Sequence, residues 1–315
     1  MTDIKENNNE GKFNQSVANG LAKEVLTEQR RNRRWGIFFK MLLALYLFTF
    51  LIIYFVENTE TGSFSSDKHT ALIEINGVIA ANTEARADYI VTGLRKAFKD
   101  ENTQGVILRI NSPGGSPVQA GYINDEINRL KEKHPDIPVY AVISDMCASG
   151  GYYIAAAADK IYANKASIVG SIGVIMAGFG FVDTIEKLGV ERRLLHAGDN
   201  KGFMDPFQPL KAEESAHVQG LLNEIHQQFI DVVKDGRGER LIDDEKLFSG
   251  LIWSGQESIK LGLVDELASA SQVARDVIGA EDIVDFTKRE NYLDRFAKQM
   301  GSAMLQSVTD SIRLQ

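Results

Sequence analysis

GVILRINSPGG, residues 105 to 115, and VYAVISDMCASGG, residues 139 to 151, decide the fold class. Each opens on a β-branched apolar run, 105–110 in one and 139–143 in the other, and each closes on a glycine pair. Such runs bounded by Gly, Pro or Asn read as buried strands. TALIEINGVI, residues 70 to 79, is a third run of the same kind. Between the three, Asp88 to Lys99 and Gln119 to Lys133 carry apolar residues at three- and four-residue spacing, the period of a helix with one buried face. Strand, helix, strand, helix, strand in that order predicts an α/β fold with a mainly parallel sheet and helices outside it.

Downstream the rhythm continues. Ser149 to Asp159 (SGGYYIAAAAD) is small or aromatic on every face and predicts a buried helix. Lys160 to Ala163 and the glycine-punctuated Ile168 to Met176 predict short strands, and Phe181 to Leu188 and Lys211 to Lys234 predict helices, the second long and amphipathic. From about Ile283 to Gln315 the pattern weakens to that of a helical or mobile tail. No internal repeat is visible.

Upstream, Met41 to Val56 (MLLALYLFTFLIIYFV) holds no charge. With Ile37, Phe38 and Phe39 the apolar span reaches about 20 residues, or roughly 30 Å of helix, enough to cross a bilayer. Lys40 falls near its start, where a long side chain snorkels to the headgroups. A polar tail precedes the span and no small-x-small site follows it, which predicts a signal anchor and not a cleaved signal peptide. Arg30, Arg31, Arg33, Arg34 and Lys40 stand before it, Glu57 and Glu60 after it, so the positive-inside rule keeps the tail cytoplasmic and exports the rest. The expected division is a tail at 1–36, an anchor at 37–56, a polar linker at 57–69, a folded body at 70–275 and a C-terminal tail at 276–315.

The chain has 315 residues, 44% of them hydrophobic, and a formal net charge of −8. The first 40 residues carry eight Lys/Arg against five Asp/Glu, so the exported part is acidic and has no nucleic-acid footprint. One cysteine, Cys147, excludes an intramolecular disulfide framework and a multi-cysteine metal site; two residues before Ser149, it reads as a small packing residue.

The chemistry gathers at the two glycine pairs, each at the carboxyl end of a predicted strand, where open α/β sheets bind ligands. Absence of a side chain lets backbone N–H groups approach a ligand closely. Ser149 at the start of a buried helix lies in that helix's positive field, which favours developing negative charge. The arrangement suits acyl transfer, with Ser149 attacking a carbonyl and the N–H groups of Gly150 and Gly114 receiving the oxyanion. Taken singly, Ser149 also reads as an ordinary helix cap and Asn111-Ser112-Pro113-Gly114-Gly115 as a turn. Their joint occurrence favours the acyl-transfer reading.

INSPGGSP, then DMCASGGYYIAAAADKIYANKASIVGSIGV, HAGDNKGFMDPF and WSGQESIKLGLVDEL resemble, in that order, the segments of the signal peptide peptidase A family of serine-lysine peptidases. The resemblance runs from about residue 70 to 270, in the short single-repeat form. It implies the β-α spiral of the Clp protease and crotonase superfamily. It also implies Ser149 as nucleophile, Lys201 as general base, Ser171 as the group that orients the lysine amine, and no cofactor or metal. A lysine that accepts a proton near neutral pH must be desolvated. The substrates implied are remnant signal peptides and other apolar peptides. The setting is a bacterial cytoplasmic membrane with a single pass and an extracytoplasmic catalytic domain, assembled as a homo-oligomer with sites at subunit interfaces.

No histidine falls between His134 and His196, so a Clp-type Ser-His-Asp triad is excluded. Near Lys201, His196 reads as a strand or loop histidine and Asp199 and Asp205 as solvated loop carboxylates; Ile172, Val174 and Met176 are candidate pocket residues. Two rivals remain. A crotonase-type acyl-CoA hydratase or isomerase would need acidic groups over the thioester, and residues 146 to 158 contain none. A non-catalytic membrane scaffold would not need Ser149, Lys201, Ser171 and both glycine pairs.

Overall fold

The computed structural model describes residue 23 and residues 27–52 and 67–289. The chain forms two units, one of residues 1–61 with 291–315 and the other of residues 62–290. In the first, helix α1 (Thr27–Ile52) is 26 residues long with a mean hydropathy of 2.0 in its apolar window and no side chain buried in protein. At 1.5 Å per residue it reaches about 39 Å, long enough to cross a bilayer. Residues 53–56 of the expected anchor, 57–66 of the expected linker and 290–315 of the expected tail lie outside the described residues.

The second unit is built on an eight-stranded sheet. Its strands are β1 (His69–Asn76), β2 (Thr103–Ser112), β3 (Val139–Ala148), β4 (Lys160–Ala163), β5 (Ile168–Gly170), β6 (Ile252–Ser254), β7 (Glu266–Leu267) and β8 (Ile283–Asp285). The main path runs β6-β5-β3-β2-β1-β8, with β4 beside β3 and β7 beside β4. Every pairing is parallel except β5 with β6. The α/β class with a mainly parallel sheet is therefore observed. It follows from strands apolar on both faces: Val106, Leu108 and Ile110 of β2 enter the larger core cluster, and Ile107 enters a smaller one with Leu72, Val142 and Tyr162. Burial of each such aliphatic side chain contributes about 1.5 to 3 kcal/mol.

Helix α2 (Ala87–Lys99) buries Ile90, Leu94, Ala97 and Phe98 on one stripe. Helix α3 (Pro117–Lys133) buries Ala120, Ile123, Ile127 and Leu130. Its start is set by Ser116, whose side chain accepts from the Gln119 N–H, and by Pro117 in the first turn, where no N–H is needed. The C-terminal part of α6 (Ala212–Arg237) buries Phe229, Val233 and Arg237. Arg237, 1% exposed, makes a two-pronged pair with Asp265 at 2.8 and 2.9 Å and donates to the Gly262 carbonyl. Asp265 also accepts from the Ile161 N–H at 2.6 Å, so one carboxylate ties α6 to β4.

β3 positions the site by changing partners. Its first half, Tyr140–Ile143, pairs with β4, whereas its end, Met146–Ala148, pairs with β5. The chain after β3 thus emerges between β2 and β5. Two expected boundaries shift. The strand expected over Ile168 to Met176 stops at Gly170, because Gly170 (φ 111) and Ser171 (φ 53) are left-handed and the Ser171 N–H turns to the Leu251 carbonyl at 2.7 Å. The helix expected over Ser149 to Asp159 ends at Ala155, since the N–H groups of Ala157 and Ala158 bond three residues back and that of Asp159 bonds the Val139 carbonyl. Ile283–Asp285, expected at the start of a helical or mobile tail, instead extends the sheet beside β1.

Candidate active site

Ser149 sits at the junction of β3 and helix α4 (Gly150–Ala155), half-buried. Its backbone is at φ 51, ψ −122, a left-handed conformation that costs a serine about 1 to 3 kcal/mol unless its surroundings enforce it. They do: its N–H donates to the Gly170 carbonyl at 2.8 Å, and its carbonyl accepts from the Tyr153 N–H at 3.0 Å. Its side chain makes no capping bond, so the ordinary helix-cap reading does not hold. The hydroxyl is left available at the start of a helix whose first N–H groups lack intrahelical partners.

The Asn-Ser-Pro-Gly-Gly loop lies directly against this turn. A Cβ on Gly114 (φ +101) would stand 2.7 Å from both Ser149 Cβ and the Gly150 nitrogen, so only glycine permits the approach. A Cβ on Gly115 would stand 2.1 Å from the Ile79 carbonyl oxygen. Ser112, fully buried, donates from Oγ to the Gly77 carbonyl at 2.6 Å and accepts from the Gly114 N–H at 3.1 Å. Gly114's carbonyl accepts from the Ile79 N–H at 2.9 Å. The Gly114 N–H is therefore engaged within its own loop. That of Gly115 has no hydrogen bond among the described residues, and its nitrogen is 3.3 Å from the position a Gly150 Cβ would take. The paired glycines were legible in sequence; which of their two N–H groups stays available was not, because Ser112 decides it.

Ser171 is half-buried and follows Gly170, the residue that receives the Ser149 N–H. Lys201 is exposed, its N–H bonded to the Gly198 carbonyl at 3.1 Å, and its Nζ makes no hydrogen bond or ion pair among the described residues. The structure thus brings Ser149, Gly150, Gly114 and Ser171 to one end of the sheet and leaves the lysine amine uncommitted. Around Lys201 one expectation is corrected. Asp205 is not a solvated carboxylate: its side chain is 6% exposed, pairs with Arg192 at 3.3 Å and accepts from the Phe207 N–H at 3.0 Å, ordering the turn after the lysine. His196 is an exposed loop residue bonded through Nδ1 to the Gly198 carbonyl.

Cys147 is fully buried, and burial pushes its thiol far up, so it packs and does not react. Ile172 is fully buried in the core and lines no groove, whereas Met176 is 57% exposed. A cavity of about 490 Å³ toward the smaller core cluster is lined by Arg109, Ser144, Lys165, Ser269 and Gln272, and none of the site residues borders it.

Among the relatives matched over two thirds or more of this chain are proteins named peptidases or proteases. A putative signal peptide peptidase SppA of Enterococcus faecium is 34% identical over 245 residues, which are 75% of this chain and 67% of that protein. A putative protease of Synechocystis sp. is 32% identical over 255 residues, 79% of this chain and 90% of that one. Residues 131–284 match the model of peptidase family S49. The chain belongs to peptidase family S49. Over 186 residues it is also 47% identical to proteins of Brucella abortus and Brucella melitensis named Na(+)/H(+) antiporter NhaA, and the match spans only 25% of their length. Among solved structures, a membrane-bound stomatin-specific protease with a bound substrate peptide gives a TM-score of 0.44 at 15% identity, covering 75% of this chain and 98% of that one.

Proposed function

We propose that the chain is a membrane-anchored serine endopeptidase that cleaves apolar peptides, remnant signal peptides among them, through an acyl-enzyme on Ser149. The observation that carries the reading is the left-handed Ser149, held between the start of α4 and the Gly114–Gly115 loop. In the mechanism, Lys201 takes the proton from Ser149 Oγ as the oxygen attacks the scissile carbonyl. The developing oxyanion is received by the Gly150 N–H together with the glycine-pair loop. Within that loop Gly114 was the residue expected from sequence, and the engagement of its N–H by Ser112 favours Gly115 as the donor. The lysine returns its proton to the leaving amine, and water then hydrolyses the ester. Ser171 orients the amine.

A general-base lysine must be shielded from water, and Lys201 is exposed in the single chain. The segment leading to it carries uncovered apolar side chains: Ile175 is 87% exposed, Phe179 83% and Leu195 96%. This supports a homo-oligomer in which a neighbouring copy covers that surface and completes the site. Helix α1 supports a single-pass anchor, and the basic residues before it support a cytoplasmic N-terminus with the peptidase body exported from a bacterial cytoplasmic membrane. The test is labelling of the detergent-solubilised full chain with a fluorophosphonate serine probe, alongside hydrolysis of a labelled apolar peptide. Ser149 is expected to be the residue modified, and Ser149→Ala to lose both labelling and hydrolysis while folding normally. Turnover by Ser149→Ala within about tenfold of the parent would overturn the assignment.

A further inference from the structure

Among the described residues, three non-glycine residues have left-handed backbones, and two of them, Ser149 and Ser171, hang on one short strand. The Ser149 N–H donates to the Gly170 carbonyl at 2.8 Å, and the Ser171 N–H donates to the Leu251 carbonyl at 2.7 Å. Between them Gly170 (φ +111) lies against the indole of Trp253: a Cβ there would stand 2.8 Å from both Cε3 and Cζ3. Trp253 is half-buried, is packed against the main core cluster, and faces Val169 across the antiparallel β5–β6 pair. The strand is pinned at both ends. The Gly250 N–H donates to the Ile172 carbonyl at 3.1 Å, and the Gly255 N–H donates to the Ser167 carbonyl at 2.7 Å.

We propose that Trp253 is a positioning residue for acyl transfer, an inference that rests on the catalytic reading of Ser149 above. Glycine is the residue least able to hold one conformation by itself. At position 170 it is required, since any side chain would enter the ring, and its shape must therefore be imposed from outside. The indole ring does this by closing the space into which the Gly170–Ser171 turn would otherwise relax. The turn matters twice. Its carbonyl at 170 holds the nucleophile's strained N–H, and its serine at 171 carries the hydroxyl assigned to orient the lysine amine. Trp253 is assigned its effect through this turn, by its approach to Gly170.

The experiment compares full-length parent, Trp253→Leu and Trp253→Phe in detergent, by the second-order rate of Ser149 labelling with the fluorophosphonate probe across pH and by melting temperature. Trp253→Leu is expected to label up to about 100-fold more slowly, the size of effect an ångström-scale misplacement from a remote mutation produces, and to displace the rising limb of the pH profile. Trp253→Phe, which keeps a six-membered ring on Gly170, is expected to stay within about threefold of the parent. A folded Trp253→Leu with the parental rate and profile would overturn the proposal. So would a lowered melting temperature with an unmoved pH profile, which is what a purely structural tryptophan predicts. If Trp253→Leu does not fold, the Trp35→Phe protein decides the question. There Trp253 is the one remaining tryptophan, its fluorescence is expected to change when Ser149 is labelled, and no change would overturn the inference. Failure of the parent itself to label at Ser149 would instead sink the catalytic reading, before any variant is compared.

Discussion

Ser149 holds an unfavourable backbone because every group around it has a reason to be where it is. Gly170 accepts its N–H, Gly114 offers no side chain to collide with it, and Ser112 ties down the loop that faces it. Ser112→Ala removes two hydrogen bonds from that loop and is expected to cost about 1 to 3 kcal/mol of stability and to slow probe labelling, which a melting curve and a labelling time course measure together. Lys201→Ala and Lys201→Arg are both expected to leave the protein nearly inactive, since a guanidinium stays protonated and cannot act as base. Normal peptide hydrolysis by Lys201→Arg would make the lysine a structural charge. Ser171→Ala is expected to be milder, losing about 10- to 100-fold if the hydroxyl only orients the amine. At this scale Ser149, the proposed nucleophile, and both glycine pairs stand out in the residues themselves. Lys201, the proposed base, is singled out only through a family resemblance, because a lysine in a Gly/Asp-rich loop looks like any surface charge.

Between elements, two carboxylates hold helices in place and set the acid response. Hydrogen bonding from Arg129, helped by Arg95 on α2, lowers Glu126 of α3 to about 2, against a burial that opposes it. A depressed carboxyl stabilises the fold above its unfolded value near 4.5, and that contribution disappears as pH falls toward about 2. Because Arg95 and Arg129 are 61% and 52% exposed, solvent screening reduces the effect to about 1 kcal/mol. Melting temperature is expected to fall between pH 4.5 and 2 in the parent, and less steeply in Glu126→Gln; identical slopes would remove Glu126 from the acid response. Asp265 differs. Burial would raise it, yet the fully buried Arg237 and the Ile161 N–H hold it below its ordinary value. Asp265→Asn leaves that arginine uncompensated and is expected to destabilise by about 3 to 5 kcal/mol, readable as an earlier urea midpoint.

Across the whole molecule, the proposed mechanism demands a dry lysine. Dilution of the detergent-solubilised chain is expected to lower specific activity together with mass measured by light scattering. Mixing Ser149→Ala with Lys201→Ala after dissociation and reassembly is expected to recover activity if one copy's serine works with another's lysine. A fully active monomer would refute the assembly. The exposed Ile175, Phe179 and Leu195 give this prediction its surface, and substituting them with Ser is expected to shift the chain toward monomer without lowering its melting temperature.

The sequence by itself determined the α/β class, because continuous β-branched runs and three-and-four spacing follow from local periodicity alone. It also determined the apolar helix and the two glycine pairs, one of them directly after Ser149, each a feature of contiguous residues. Only the tertiary structure decided the rest, because the deciding contacts join residues far apart in the chain. The division of β3 between β4 and β5 sets where Ser149 emerges. The segment formed by Leu251 and β6, some eighty residues later, ends β5 at Gly170 by drawing the Ser171 N–H away and setting a ring against the glycine. Ile283–Asp285 became an edge strand because β1 offered it an unpaired side, which no reading of three residues reveals. Ser112, through one hydroxyl, fixed which glycine N–H stayed available. Periodicity announces which elements form; hydrogen-bond and steric constraints between distant segments choose their ends, their neighbours and the atoms left over for chemistry.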